Sequence, residues 1–249
     1  RLTWCDWASN TRLVCQAYSV VNDAGLLLRF TRLLAVNSDG TALKTLGQDS
    51  TSRSLGINQY DGSVVGWSSD DSNTILMARN YVPEMSTGTH LASKTDGLGV
   101  DRIDTLTLKQ TKEENPVRTA TSFIADTRGQ IRIMQTRDSS ETGVLRDVVR
   151  YSYRLSGDRA WRPFSRIAGD SDGLKPVAVD GNSNIAYAIG HKDGRDAIYK
   201  VTLDDKLTSE LVLASDKVDV DSLLTLGRNG RVIGADIVTD KRQSVIFDP

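Results

Sequence analysis

Apolar and polar side chains alternate with a period of two along almost the whole chain, and short clusters of Asp, Asn and Gly interrupt the alternation. Arg32-Leu-Leu-Ala-Val-Asn-Ser-Asp-Gly-Thr41, Asp101-Arg-Ile-Asp-Thr-Leu-Thr-Leu108, Asp147-Val-Val-Arg-Tyr-Ser-Tyr153 and Ala197-Ile-Tyr-Lys-Val-Thr-Leu-Asp-Asp205 each read as a strand that runs into a polar turn. Their starts lie about 70, 46 and 50 residues apart, close to propeller and kelch periods apart from the first interval. Helical periodicity is not sustained beyond about two turns anywhere. Ser38-Asp-Gly40, Arg128-Gly129, Gly181-Asn-Ser-Asn184 and Arg228-Asn-Gly230 supply residues that tolerate positive φ between strands. The pattern predicts an all-β chain, a β-propeller of four-stranded antiparallel blades, with about four to five blades in residues 1–249.

In that parse the blades cover about residues 2–48, 62–113, 118–167 and 174–215, and 219–249 begins a fifth. Short turns at Ala8 to Arg12, Asn37 to Gly40, Asp70 to Asn73, Thr127 to Gly129 and Asp180 to Asn184 fall on connections that leave one face. Longer connections, at Ser19 to Leu26, Asn80 to Val100, Arg137 to Arg146 and Gly190 to Arg195, fall on the other, which is the expected binding face. Four and a half blades leave sheet edges unpaired, so remaining blades or another partner must complete them. The chain starts at Arg1 inside a strand and ends on Ser244-Val-Ile-Phe-Asp-Pro249, which points to an internal piece of a longer polypeptide.

The two cysteines sharpen the first hairpin. A turn centred on Asn10 sets Cys5 opposite Cys15 and Trp7 opposite Leu13. Two readings stay open: a cross-strand disulfide, suited to an oxidising compartment (periplasmic or secreted), or two buried thiols, the plainer alternative. Trp4, Trp7, Trp67 and Trp161 fall in or beside strands and read as packing between blades.

Composition narrows the partners. With 249 residues, 25% of them charged, and a net charge of -1, the chain offers no electrostatic case for nucleic acid or an anionic membrane. No apolar run approaches the roughly 18 residues that span a bilayer. No cofactor is called for, since neither G-x-G-x-x-G nor G-x-x-x-x-G-K-[ST] occurs. Asp180-Gly-Asn-Ser-Asn184 begins like a calcium loop, but Ile185 replaces the required glycine and no Glu closes it, so it reads as a turn.

Trp67-Ser-Ser-Asp-Asp-Ser-Asn-Thr-Ile-Leu76 resembles the start of WD-like propeller repeats, and Gly190-His-Lys-Asp-Gly-Arg-Asp-Ala-Ile-Tyr199 and Leu34-Ala-Val-Asn-Ser-Asp-Gly-Thr41 resemble the continuation of such a repeat. Such repeats occur in Tol-type propellers and in the N-terminal propeller of prolyl oligopeptidase-family serine peptidases. The flow from Tyr81-Val-Pro-Glu84 into Gly99-Val-Asp-Arg-Ile-Asp104, and from Ile233-Gly-Ala-Asp-Ile-Val238 to Val245-Ile-Phe-Asp248, is similar to dipeptidyl and acylaminoacyl peptidase relatives. That resemblance implies part of a seven- or eight-bladed propeller that gates or positions peptides for a separate α/β-hydrolase domain. The alternative it leaves is a Tol-type protein-interaction propeller with no enzymatic role.

The nucleophile of that family sits in G-x-S-x-G on a strand-to-helix elbow. The nearest match, Gly66-Trp-Ser-Ser-Asp70, has Asp at the last position and lies in a strand, so the expected catalytic residues are none. His90 and His191 fall in predicted loops of different blades without an elbow or oxyanion motif. Arg79, Tyr81 and Glu84 gather a cation, an aromatic ring and a carboxylate on one rim. A carboxylate can hold a peptide N-terminus and an arginine a carbonyl or carboxylate, so these three are the candidate substrate-binding residues. The competing reading is a solvated loop with incidental charges. The charged residues Arg137, Asp138 and Arg146, and Lys192, Asp193 and Arg195, stand under the same pair of readings.

Overall fold

The computed structural model describes residues 1–47, 52–68, 70, 72–89, 91–139, 145–169 and 173–247. Among these residues every regular element is a strand, and no helix is long and apolar enough to cross a membrane. Consecutive strands pair antiparallel into five separate sheets, four of four strands and one of three. The first holds β1 (Leu2–Trp7), β2 (Arg12–Asp23), β3 (Leu26–Asn37) and β4 (Lys44–Thr45); the second holds β5 (Ser63–Trp67), β6 (Thr74–Tyr81), β7 (Gly97–Asp104) and β8 (Gln110–Val117). The third runs through β9 (Ala120–Ala125), β10 (Ile131–Ser139), β11 (Leu145–Tyr153) and β12 (Arg162–Ala168). The fourth comprises β13 (Lys175–Asp180), β14 (Ile185–Lys192), β15 (Arg195–Thr202) and β16 (Ser209–Leu213), and the fifth β17 (Val220–Leu226), β18 (Arg231–Val238) and β19 (Arg242–Ile246). These are propeller-like blades with boundaries within a few residues of those the alternation predicts.

Contacts divide the chain into two compact units, Arg1–Ala120 and Thr121–Pro249. In the first, Val14, Leu33 and Ala35 of one sheet pack against Ile75, Met77 and Ile103 of the next. These are every-second residues of their strands, so alternation alone puts them on one inward face. In the second unit Ile133, Tyr151 and Tyr153 pack against Val179, Ala186, Ala188 and Val201. The opposite face of that middle sheet, through Tyr187 and Ile198, packs against Val220, Val232 and Ala235.

One hydrogen bond recurs at the end of each four-stranded sheet. The residue after or near the end of the third strand donates its N–H to a carbonyl at the start of the second: Ser38 to Thr11 (2.9 Å), Thr105 to Asn73 (2.8 Å), Arg154 to Arg132 (3.0 Å) and Leu203 to Asn184 (2.9 Å). It is the physical form of the internal repeat, because it satisfies the same backbone groups at the same place in each turn.

The connections differ from their expected division into a tight face and a loop-bearing face. Ser19 to Leu26 is mostly strand, since β2 and β3 pair without interruption from Arg12↔Asn37 to Asp23↔Leu26. Its turn is Ala24–Gly25 at φ 48° and 90°, and Asp193–Gly194 closes β14–β15 at φ 52° and 78°. Both are two-residue hairpin turns of the kind that matches strand twist. The connection between β6 and β7 is long, as expected; residues 140–144 of the one between β10 and β11 lie outside the described residues.

In the first hairpin Cys5 pairs with Cys15 and Trp7 with Leu13, the register that a turn centred on Asn10 requires. The cysteines are bonded in the structure, with Cα atoms 4.0 Å apart. Trp4 and Trp7 do not pack between sheets: β1 is exposed along its length. Trp67 packs against the first unit's core, and the Arg154 guanidinium lies 4.2 Å from the Trp161 ring centre.

Candidate functional site

The long connection between β6 and β7, residues 82–96, lines a concavity of the first unit. Its ascending arm is pinned to the preceding connection. Leu55 donates its N–H to the Pro83 carbonyl (2.9 Å) and Met85 donates to Arg53 (2.8 Å), while Ser54 bridges antiparallel to Glu84. Its descending arm is tied by the Glu84 N–H donating to the Ser93 carbonyl (2.8 Å). The Ser93 N–H in turn donates to Glu84 Oε2 (3.2 Å). These bonds tie the loop residues together around an isolated β-bridge.

Gly97 and Gly99 close the other side. Gly97 has φ 107°, and a Cβ there would lie 2.4 Å from the Val117 carbonyl carbon. A Cβ at Gly99 would meet the Glu114 oxygen and Pro116 Cγ at 3.0 Å. Without side chains at these two positions, the end of β8 presses onto the start of β7, where the ladder shifts register. Pro116 and Arg118 are thereby brought opposite Pro83 and Glu84 across a cleft of about 500 Å³, which Leu55, Lys94 and Asp96 also line. Arg118 Nε donates to Asp96 Oδ2 at 2.6 Å across the rim.

The structure separates the three candidate rim residues. Glu84 lines the cleft. Arg79 and Tyr81 lie on β6 itself, in the every-second row that continues from Ile75 and Met77. Arg79 is 3% exposed and forms an ion pair with Asp101 of β7. Its Nη2 also donates to Gln110 Oε1 at 2.7 Å. The Tyr81 hydroxyl donates to Asp101 Oδ2, while the Lys112 ammonium lies 4.4 Å from the Tyr81 ring centre. Burial, and then the hydrogen bond to Asp101, push the Tyr81 phenol up to about 12.

Arg79, Tyr81 and Asp101 thus form a buried polar knot at the base of the loop, and Glu84 belongs to the cleft above it. Asp101, Lys94, Asp96 and Arg118 were not singled out from the sequence. For Asp101 a signal existed: it stands two residues before Ile103, on the inward face, where a carboxylate requires a partner. The other three carry no such signal, because Lys94, Asp96 and Arg118 meet only through the backbone approach at Gly97.

Elsewhere, His191 Nε2 lies 3.2 Å from Asp196 Oδ1 on the exposed β14–β15 hairpin, and His90 lies outside the described residues. Ser68 donates to Asp70 in the β5–β6 connection, and Ser69 lies outside the described residues. Asp180 caps its own turn, accepting from the Asn182 N–H (2.8 Å) and the Ser183 hydroxyl (2.6 Å).

No protein-family model and no curated protein matches this sequence. Among solved structures, the AtxE2 isopeptidase in its apo form is similar at 13% identity with a TM-score of 0.31, covering 96% of this chain. The chain spans 37% of the length of that structure.

Proposed function

We propose that this chain is the non-catalytic propeller portion of a prolyl oligopeptidase-like serine peptidase, and that it gates or positions peptides for a separate α/β-hydrolase domain. The observation that carries the reading is the cleft beside residues 82–96. It joins apolar walls to charged groups on the connection between β6 and β7. Glu84 contacts substrate in this reading. Arg79 and Tyr81 act from beneath, by fixing the strand from which the connection departs.

The test uses the full-length polypeptide that contains residues 1–249. A serine-directed covalent probe is expected to label it outside this segment. Glu84→Gln is expected to raise KM for oligopeptides with little change for a small ester. A parent protein without a serine nucleophile, or identical peptide kinetics for the variant, would remove the reading.

A Tol-type interaction propeller is the second reading, supported by the β2–β3 hairpin. That hairpin outruns its neighbouring strands and exposes Val20, Val21, Leu26 and Leu27. Peptidase activity that co-purifies with the native protein would count against it.

A further inference from the structure

We propose that the cleft beside residues 82–96 receives the carboxylate end of an extended peptide, with Lys94 as the group that pairs with it. The proposal rests on the peptide-positioning reading above and adds the polarity of the bound chain. It follows from which charges in the cleft are already committed. Arg118 is paired with Asp96 at 2.6 Å. Glu84 Oε2 accepts the Ser93 N–H at 3.2 Å, so part of its charge stabilises the loop. Lys94 has no ion-pair or hydrogen-bond partner among the described residues and is exposed at the rim. Lys94 is the cation of the lining with no partner among the described residues, and a carboxylate is its complement.

The walls specify the rest of the ligand. Pro83 and Pro116 face the cleft, and neither has a backbone N–H, so they offer apolar contact without a donor. Leu55 on the cleft, with Met85 and Leu91 on the same connections, adds exposed apolar surface at 60%, 51% and 94% exposure. The prolines offer contact to an apolar side chain, and the lysine offers a partner to the terminal carboxylate of the same peptide.

The experiment measures fluorescence polarisation of the full 249-residue chain with an N-terminally fluorescein-labelled pentapeptide ending in Phe-Leu. The peptide is supplied as the free acid and as the C-terminal amide. The acid is expected to bind about fivefold more tightly at low salt, in line with one partly exposed ion pair. Lys94→Gln should abolish that preference and Lys94→Arg should keep it; both changes are at an exposed position, so folding is not at stake. Equal binding of acid and amide, or a preference that survives Lys94→Gln, overturns the proposal while leaving the peptide reading intact. Absence of binding by either form overturns both.

Discussion

Arg12 Nη2 donates to the carbonyl oxygen of Thr105, 2.6 Å away, and so ties the first sheet to the turn that joins β7 to β8. The same guanidinium donates through Nη1 to Asn37 Oδ1 and to the Ala42 carbonyl, both at 2.8 Å. Its side chain is fully buried. Five donors fixed on a planar fork reach acceptors from two separate nitrogens at once, whereas the three donors of an ammonium all leave a single nitrogen. Arg12→Met is therefore expected to cost about 3 kcal/mol, because the buried Thr105 carbonyl and the part-buried Ala42 carbonyl lose their donor. Arg12→Lys should recover less than half of that. Urea unfolding followed by tryptophan fluorescence measures both, and a loss below about 1 kcal/mol for Arg12→Met would mean the contact is dispensable.

Two glycines with positive φ separate backbone strain from crowding. Gly25 sits at φ 90° with nothing within 4 Å of an added Cβ, while Gly97 sits at φ 107° with the Val117 carbonyl carbon at 2.4 Å. Gly25→Ala should cost about 1–2 kcal/mol, the conformational term alone. Gly97→Ala should cost distinctly more, because the backbone of β8 has to move, and it should also disturb the cleft wall at Pro116. Thermal melts of the two variants decide this. Equal losses would show that the close approach at Gly97 relaxes without penalty.

Tyr81 is expected to titrate late, above the ordinary phenol range. Its phenol is raised to about 12, first by burial and then by the bond to Asp101. A group whose folded pKa lies above its unfolded value, near 10, contributes stability below that value and loses it as pH rises toward the folded one. Phenolate absorbance near 295 nm should therefore show a late step close to pH 12 that disappears in Tyr81→Phe. Alkaline unfolding should also begin in that interval. A late step that persists in the variant would assign it to another tyrosine.

The sheet order and blade boundaries were legible because alternation sets the inward face residue by residue, as in Ile75, Met77 and Ile103. The hairpin turns at Ala24–Gly25 and Asp193–Gly194 read as long connections in the sequence, yet each is two residues long. Polar, turn-forming residues there conceal strands that continue in register to the last pair, as Lys192↔Arg195 does. The candidate site was half legible. Arg79, Tyr81 and Glu84 are adjacent in sequence, yet a strand ends between Tyr81 and Glu84, so two of them serve the buried knot and one the cleft. Arg118 could not be placed beside Asp96 from sequence, since that contact depends on two missing side chains at Gly97 and Gly99.

The bond between Cys5 and Cys15 holds an edge strand that is otherwise exposed throughout. Closing a loop of 10 residues restricts the unfolded chain by about 2–3 kcal/mol in the entropic account. Reduction, or the Cys5→Ser and Cys15→Ser pair, should lower stability by about that amount. Amide exchange should rise in β1 before it rises in β2. Exchange that rises equally in β2 and β3 would show that the bond supports the whole sheet instead of its edge.

Acid should weaken the protein through carboxylates that cap turns. At Asp180 burial alone would raise the pKa, but the Ser183 hydroxyl, the Asn182 N–H and the Thr127 hydroxyl outweigh it and hold the group below its ordinary value. At Asp104 the Thr107 N–H is the main cause of a lowered pKa, opposed by burial and reinforced by the Leu106 N–H. Stability from such groups is complete above the unfolded value near 4 and is lost as pH falls through the lower folded value. Asp180→Asn, which keeps the shape but has no charge to lose, should be less stable than the parent at pH 7 and converge with it as the acid limb is descended. Melting temperatures recorded from neutral pH downward test this directly, and two parallel curves would rule out Asp180 as a source of the acid sensitivity.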